Sequence, residues 1–411
     1  MEYILQRIAR LARFEAVTIS DWIIYFTAFI VIQAPAIVNF YDNDGGSNPY
    51  ILFAQSLLNG ELMIFPSEAQ GDLIFFENNY YLPYPPLPSI ILLPFVALLG
   101  ASNVNTVAIA TAMACISLYL MYRIFLRLEI EKGYFNWLML GVFFGTGYWF
   151  AILTSHHVYA FAHITAFLFQ LLLIHELLEK RRWWLVGIYI GCAFLSRQLS
   201  IFYFLFAAGY MFYLYRNEKQ IVSFRNFIAL CLPLGVFVGI YLLYNYLRFG
   251  NPLDTGYGYI IYVGVLNERV LEHGVFSAKY VLFNLYSFLI KGFNIEFEGK
   301  GYLNITDMDL WGTSLLSASP FLIASFKAVW PGVLKISAWL TIITILTGHL
   351  FYHNNGFHQI NTSRFALDFL PLLLVLTGLG ARHIPPWLFK GMIGYAVLLN
   401  VISFVIHYIY Q

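Results

Sequence analysis

Charge is what this chain has least of. Asp, Glu, Lys and Arg make up 11% of its 411 residues and apolar residues 60%, whereas a soluble domain carries about a quarter charged residues. With a mean hydropathy of +0.69, the chain cannot cover itself with a water-facing surface, which excludes a soluble globular protein. The formal net charge is +1, and no basic arm or stripe is present, which excludes a nucleic-acid partner. Cysteine is scarce as well. Cys115, Cys192 and Cys231 all sit inside apolar runs without CxxC spacing, so they read as small hydrophobes packed between helices rather than as disulfide or metal sites. The motifs of soluble enzymes are missing too: there is no Walker A, no GxSxG and no HExxH. No succession of acidic residues runs through the apolar segments, as it would in a proton-coupled pump.

What remains is apolar length. A membrane-crossing helix needs about 20 apolar residues, and by that ruler spans fall near 19–38, 104–126, 134–153, 158–178, 184–199, 200–215, 226–247, 311–328, 333–350, 365–380 and 391–408. The first run is long and lacks a small-residue cleavage site, so it is expected to stay as a signal anchor. The run Leu87–Leu99 is shorter and opens in a proline cluster. Polar stretches interrupt the pattern at 39–86 and 248–310, the second mixed enough for a short amphipathic helix near Phe276–Ile290. No internal repeat or low-complexity tract appears, so 1–411 reads as one all-α polytopic membrane domain. Its outer loops are 39–100, with a juxtamembrane or re-entrant segment, and 248–310.

Lys and Arg collect in short cytoplasmic loops. Arg7, Arg10 and Arg13 precede the first span, and further groups are Arg123/Arg127/Lys132, Lys180/Arg181/Arg182, Arg216/Lys219/Arg225, Lys327/Lys335 and Arg382/Lys390. Between Arg13 and Arg123 there is no Lys or Arg at all, and the 39–86 stretch is acidic. All basic groups share one side only if Leu87–Leu99 does not cross. The expectation is therefore a re-entrant Leu87–Leu99, eleven spans, a cytoplasmic N-terminus and an outside C-terminus. Arg197, Arg248 and Arg364 are then left on the outer side near span ends, where an ionisable group is a functional candidate. The plainer alternative is snorkelling to lipid headgroups.

Several constellations converge on that side. The first outer loop opens Asn39-Phe-Tyr-Asp-Asn-Asp-Gly-Gly-Ser-Asn-Pro-Tyr50. Its Asp42 and Asp44 can serve as proton acceptors or as ordinary turn residues. The segment Tyr80-Tyr-Leu-Pro-Tyr-Pro-Pro-Leu-Pro-Ser89 combines prolines, which fix an extended approach to the bilayer, with interfacial aromatics that include Tyr84. His156 and His157 occupy a very short outer link, available to a phosphate or a metal. Arg248 and Arg364 can each hold a phosphate, with Asp254 and Asp368 as plain structural partners for them.

Taken together and in this order, these features resemble the GT-C superfamily of polyprenyl-phosphate-dependent glycosyltransferases, which includes bacterial aminoarabinose transferases, protein O-mannosyltransferases and family 39-like membrane proteins. Tyr50 and Ala54-Gln-Ser-Leu-Leu-Asn-Gly60 take the places of the family's tyrosine and small-x-x-Leu-x-x-Gly helix. Tyr84-Pro-Pro-Leu87, Asn245-Tyr-Leu-Arg-Phe-Gly-Asn-Pro252 and the late segment 356–371 match further landmarks, so the resemblance covers about residues 20–380. It implies an inverting transferase that takes a sugar from a polyprenyl-phosphate carrier at the extracytoplasmic face of a bacterial plasma membrane. The acceptor is a lipid, glycan or protein. Asp44, or alternatively Asp42, would be the base. Arg364, Arg248 and Arg197, with His156, His157, Tyr84 and Tyr50, would bind substrate or phosphate. No cofactor is fixed, and a divalent metal is left open. Two departures stand out: His156 and His157 replace the usual second acidic position, and a large C-terminal soluble domain is missing. The alternative, a lipid or solute transporter or flippase, needs interrupted helices at matching positions of two halves, and no such pairing is seen.

Overall fold

The computed structural model describes residues 19–39, 48–65, 73–217, 224–309, 311–356 and 361–410. They form an all-α membrane bundle with two small β-hairpins at one end. Helix α1 (Ile19–Asn39) leads to α2 (Pro49–Leu58), then to a hairpin of β1 (Ile74–Phe76) and β2 (Asn79–Tyr81). Glu77 and Asn78 turn this hairpin with positive φ, the conformation that a tight two-residue turn demands. Next comes α3 (Leu87–Leu99), with the same bounds as the short apolar run. At 13 residues it is about 20 Å long, well short of the roughly 30 Å hydrocarbon layer.

The bundle proper is α4 (Thr106–Arg127), the bent pair α5 (Lys132–Phe144) and α6 (Gly147–Leu153), α7 (Val158–Leu178), α8 (Trp183–Phe194), α9 (Tyr203–Asn217) and α10 (Phe224–Phe249). The second polar stretch adds α11 (Gly264–His273), α12 (Val281–Leu289) and the hairpin β3 (Ile295–Glu298) with β4 (Asn304–Met308). The chain closes with α13 (Gly332–Leu350), α14 (Leu370–Ala381) and α15 (Pro386–Tyr410). Polar side chains manage the joints. Asn105 caps α4 by accepting from Ala108 N and donates to Ile37 O, fastening α1. The 44° break between α5 and α6 frees carbonyls that need partners. Asn400 donates to Phe144 O and Thr146 O, and Ser319 donates to Gly145 O.

Among the described residues six helices are long and apolar enough to cross a membrane, seven if the bent pair counts as one span, so the expected eleven are not reached. Helices α8 and α14 have 12 residues each, about 18 Å. The run 311–328 is not one helix at all. Ser314 caps a single turn, Leu315–Ala318, and Ser319 leaves the helical region before Pro320 (φ −132°, ψ 65°), after which a 3-10 helix runs Pro320–Lys327. A residue preceding proline is pushed out of the helical region, and the apolar count does not register this.

The two ends of the bundle differ. At the C-terminal end of α7, Arg127 donates to Leu178 O, Arg123 pairs with Glu179, and Glu176 receives Arg182 in a bidentate contact. Tyr134 donates to Ile384 O and Lys327 to His383 O, so several of the basic groups share this end. The 21 residues of α7, about 32 Å, separate it from the other end, where the two polar stretches meet. There Ile74 bridges Ile260 and Phe276 bridges Tyr352.

Candidate functional site

At that second end a cavity of about 210 Å³ opens among short irregular segments. Two arginines line it, Arg197 and Arg364, with an aromatic wall of Tyr84, Tyr159, Tyr257, Tyr352 and Phe365. Each element presents its side chain for a local reason. Tyr84 lies in the proline segment before α3, and the first amide past it, Leu87 N, donates to Leu195 O. That contact docks the segment on the break between α8 and the 3-10 turn Gln198–Phe202. Arg197 sits in this break with extended backbone (φ −144°, ψ 113°). Gln198 joins α10 to the second polar stretch, donating to the Tyr241 hydroxyl and accepting from Tyr257. Burial pushes the Tyr257 phenol up to about 12, so it faces the cavity as a neutral hydroxyl.

The floor is organised by Asp368, fully buried at the end of the 3-10 turn Arg364–Asp368. Arg197 donates to its carboxylate through Nε (3.2 Å) and Nη2 (3.1 Å). His163 Nδ1 and His349 Nε2 donate to the same carboxylate at 3.0 Å each. An ionised carboxylate only accepts, so each histidine carries its proton on the nitrogen that faces Asp368. Gln170 fixes the turn itself, donating to Asp368 O and to the Ser200 hydroxyl. A buried ion pair persists only when its remaining hydrogen-bonding positions are filled, and here two histidines fill them.

Arg364 donates from Nη1 to Gly356 O and lies 3.8 Å over the Tyr159 ring. Tyr159 stacks on His157 at 5.2 Å, and His157 lies against His156 at 4.0 Å. The Phe365 ring is touched by both guanidiniums, Arg197 at 5.3 Å and Arg364 at 5.4 Å. Asn48, which caps α2 through Tyr50 N, donates to His156 O at 2.6 Å. The start of α2 is thereby held against the histidine link.

Arg197, Arg364 and Tyr84 thus share one cavity, with His156 and His157 reaching it through Tyr159. Tyr50 is buried behind it, 6.3 Å from the Tyr84 ring. Arg248 is elsewhere: it donates to Leu82 O and Asn245, and it lies 3.7 Å over the Tyr244 ring. It ties the end of α10 to the first polar stretch. The expected carboxylate partners are also corrected. Asp368 binds Arg197 rather than Arg364, and Asp254 accepts from Gly256 N and the Tyr259 hydroxyl rather than from Arg248. Asp42 and Asp44 lie outside the described residues. Among those described, no group of three or more His, Cys, Asp or Glu is arranged to hold a metal ion.

The sequence reading missed His163, Gln170 and His349. A usable signal existed for the first two. They interrupt the apolar helix α7 seven positions apart, which puts them on one helical face.

No protein-family model matches the sequence, and no curated protein does. The structure is similar to the crystal structure of ArnT from Cupriavidus metallidurans bound to undecaprenyl phosphate, with a TM-score of 0.53 at 12% identity. The match covers 93% of this chain, which spans 64% of the length of that one. The likeness is one of architecture, and the chain has a GT-C-type membrane fold.

Proposed function

We propose that this protein is a membrane glycosyltransferase that moves a sugar from a polyprenyl-phosphate carrier to an acceptor hydroxyl at the extracytoplasmic face. The observation that carries this reading is the pair of guanidiniums, Arg197 and Arg364, on one aromatic-walled cavity. That cavity lies at the end of the bundle away from the basic groups. The acceptor is a lipid, a glycan or a protein. In the transfer the acceptor oxygen bonds to the anomeric carbon as the bond to the carrier phosphate breaks, inverting the centre. The phosphate gains negative charge as it leaves, and cations held in place beside it stabilise that charge. Asp44, with Asp42 as alternative, takes the acceptor proton. Asp44 precedes two glycines that let the backbone approach a substrate closely. It lies four positions before Asn48, the residue bonded to His156.

The experiment is transfer from undecaprenyl-phosphate sugars in membranes that carry the protein or its variants. Asp44→Asn should abolish transfer with normal expression. Full transfer in both Asp44→Asn and Asp42→Asn proteins would remove the assignment of the base. For the orientation, the three native cysteines are first replaced. A cysteine at exposed Lys300 should then react from outside intact cells, and one at exposed Arg382 should not. The reverse pattern would place the cavity in the cytoplasm and end the reading.

A further inference from the structure

One carboxylate holds the far nitrogens of two cavity residues. Asp368 takes Nε and Nη2 of Arg197 and Nε2 of His349, and both residues line the cavity. What is left over is Nη1 of Arg197, a donor, and Nδ1 of His349. The imidazole is held at its angle by Phe365, stacked at 4.8 Å and 12°, and by Phe288 at 6.2 Å.

We propose that Asp368 is the positioning residue of the cavity, aiming Arg197 Nη1 and His349 Nδ1 at one phosphate group, and that this phosphate binds together with one proton held between it and His349. The inference rests on the reading that the cavity takes a phosphate. Because Asp368 only accepts, neutral His349 keeps its proton on Nε2 and offers a bare lone pair at Nδ1. A phosphate oxygen brings lone pairs too, so the contact closes only when one proton is added, on the phosphate or on the imidazole. A phosphate monoester takes up its last proton at about 6, so near neutrality the phosphate can bring that proton with it.

The charged and titratable neighbours of His349 come from every side. The 3-10 turn supplies Asp368 and Arg364, the break supplies Arg197, and α9 supplies Tyr203, which acts on Asp368. Tyr257 stands across the cavity, and Tyr352 and His353 follow on the exit of α13. From α7, His163 shares the Asp368 carboxylate. Helix α12 faces His349 with Phe288 and with Asn284, which donates to the His349 carbonyl; neither side chain titrates.

The test is binding of farnesyl phosphate, a soluble polyprenyl phosphate, and of inorganic phosphate to the purified full chain between pH 7 and 8.5. In the wild type, Kd should weaken toward tenfold per pH unit, as uptake of one proton requires. His349→Gln should flatten that slope while Kd at pH 7 stays within about tenfold, since glutamine still offers a polar contact. Asp368→Asn provides a test of sign. Removing a negative charge beside Arg197 should tighten anion binding if charge alone matters, whereas lost positioning weakens it. The expectation is at least a tenfold loss, partly restored in Asp368→Glu. If Asp368→Asn does not fold, the His349→Gln slope decides. A wild-type slope in His349→Gln, or tighter binding by folded Asp368→Asn, overturns the inference. Phosphate binding by the wild type without any pH slope overturns it alone, while no binding of either probe overturns the phosphate reading as well. The same slope with both probes supports the shared chemistry, and tighter binding of farnesyl phosphate names a lipid headgroup as the source.

Discussion

Replacing Arg197 by methionine separates a residue that only waits for a ligand from one that also holds the bundle together. The guanidinium is buried and its Nε and Nη2 are committed to Asp368 at 3.2 and 3.1 Å. Methionine keeps much of the side-chain volume and removes the charge, so Asp368 stays buried with only the two histidine donors. Breaking a buried pair from one side costs about 3–5 kcal/mol. At about 1–2 °C per kcal/mol for a chain of this size, the apparent melting temperature of the ligand-free protein should fall by roughly 5 °C. Removing the stranded carboxylate as well, in Arg197→Met/Asp368→Leu, should cost less than the sum of the two single changes. The double variant no longer buries a lone charge, and residues in direct contact are not additive. The assay is a melting curve in detergent without added lipid phosphate. If Arg197→Met melts within a degree of the wild type, the ion pair contributes nothing, and the account of the cavity floor fails.

Other expectations follow from local geometry. A Cβ on Gly380 would stand 1.9 Å from Ala324 O, so Gly380→Ala must push α14 off the Pro320–Lys327 segment and should lower the melting temperature. Gly239→Ala on α10 meets nothing within 4 Å and should stabilise by about 0.5–1 kcal/mol; equal effects of the two changes would refute the packing. Burial, helped by the nearby Arg269 guanidinium, pushes His353 down to about 4. The unfolded chain takes this proton near pH 6.5 and the folded chain does not, so stability is intact above about pH 6.5 and declines as pH falls toward 4. Melting temperatures of wild type and His353→Phe should diverge across that window, and parallel curves would refute it.

Much of the bundle was legible because the spacing of long apolar runs leaves few alternatives, and even Leu87–Leu99 keeps its bounds. The run 311–328 was misread because apolar content is insensitive to the Ser319–Pro320 backbone. Burial of Arg197, Arg248 and Arg364 could not separate them. Arg248 is enclosed by Tyr244 and Asn245 of its own helix and by Leu82, 166 positions away, and donates to all three, whereas the other two line the cavity. The partner of Asp368 lay beyond any local pattern, since Arg197 is 171 positions away. His349 was passed over because one histidine near the end of an apolar helix resembles an interfacial residue. Only the turn arriving from Asp368 makes it part of a site.

The same separation has a consequence for how the protein is made. Arg197 leaves the ribosome 171 residues ahead of Asp368, which at about 5–20 residues per second is a wait of roughly 10–35 s. Throughout that interval a guanidinium that ends up buried beside the cavity has not met its partner carboxylate. The segment that carries it cannot take its final depth on its own hydropathy. Its insertion stays provisional until the segment bearing Asp368 arrives, near the end of synthesis, and seats an element that was made long before.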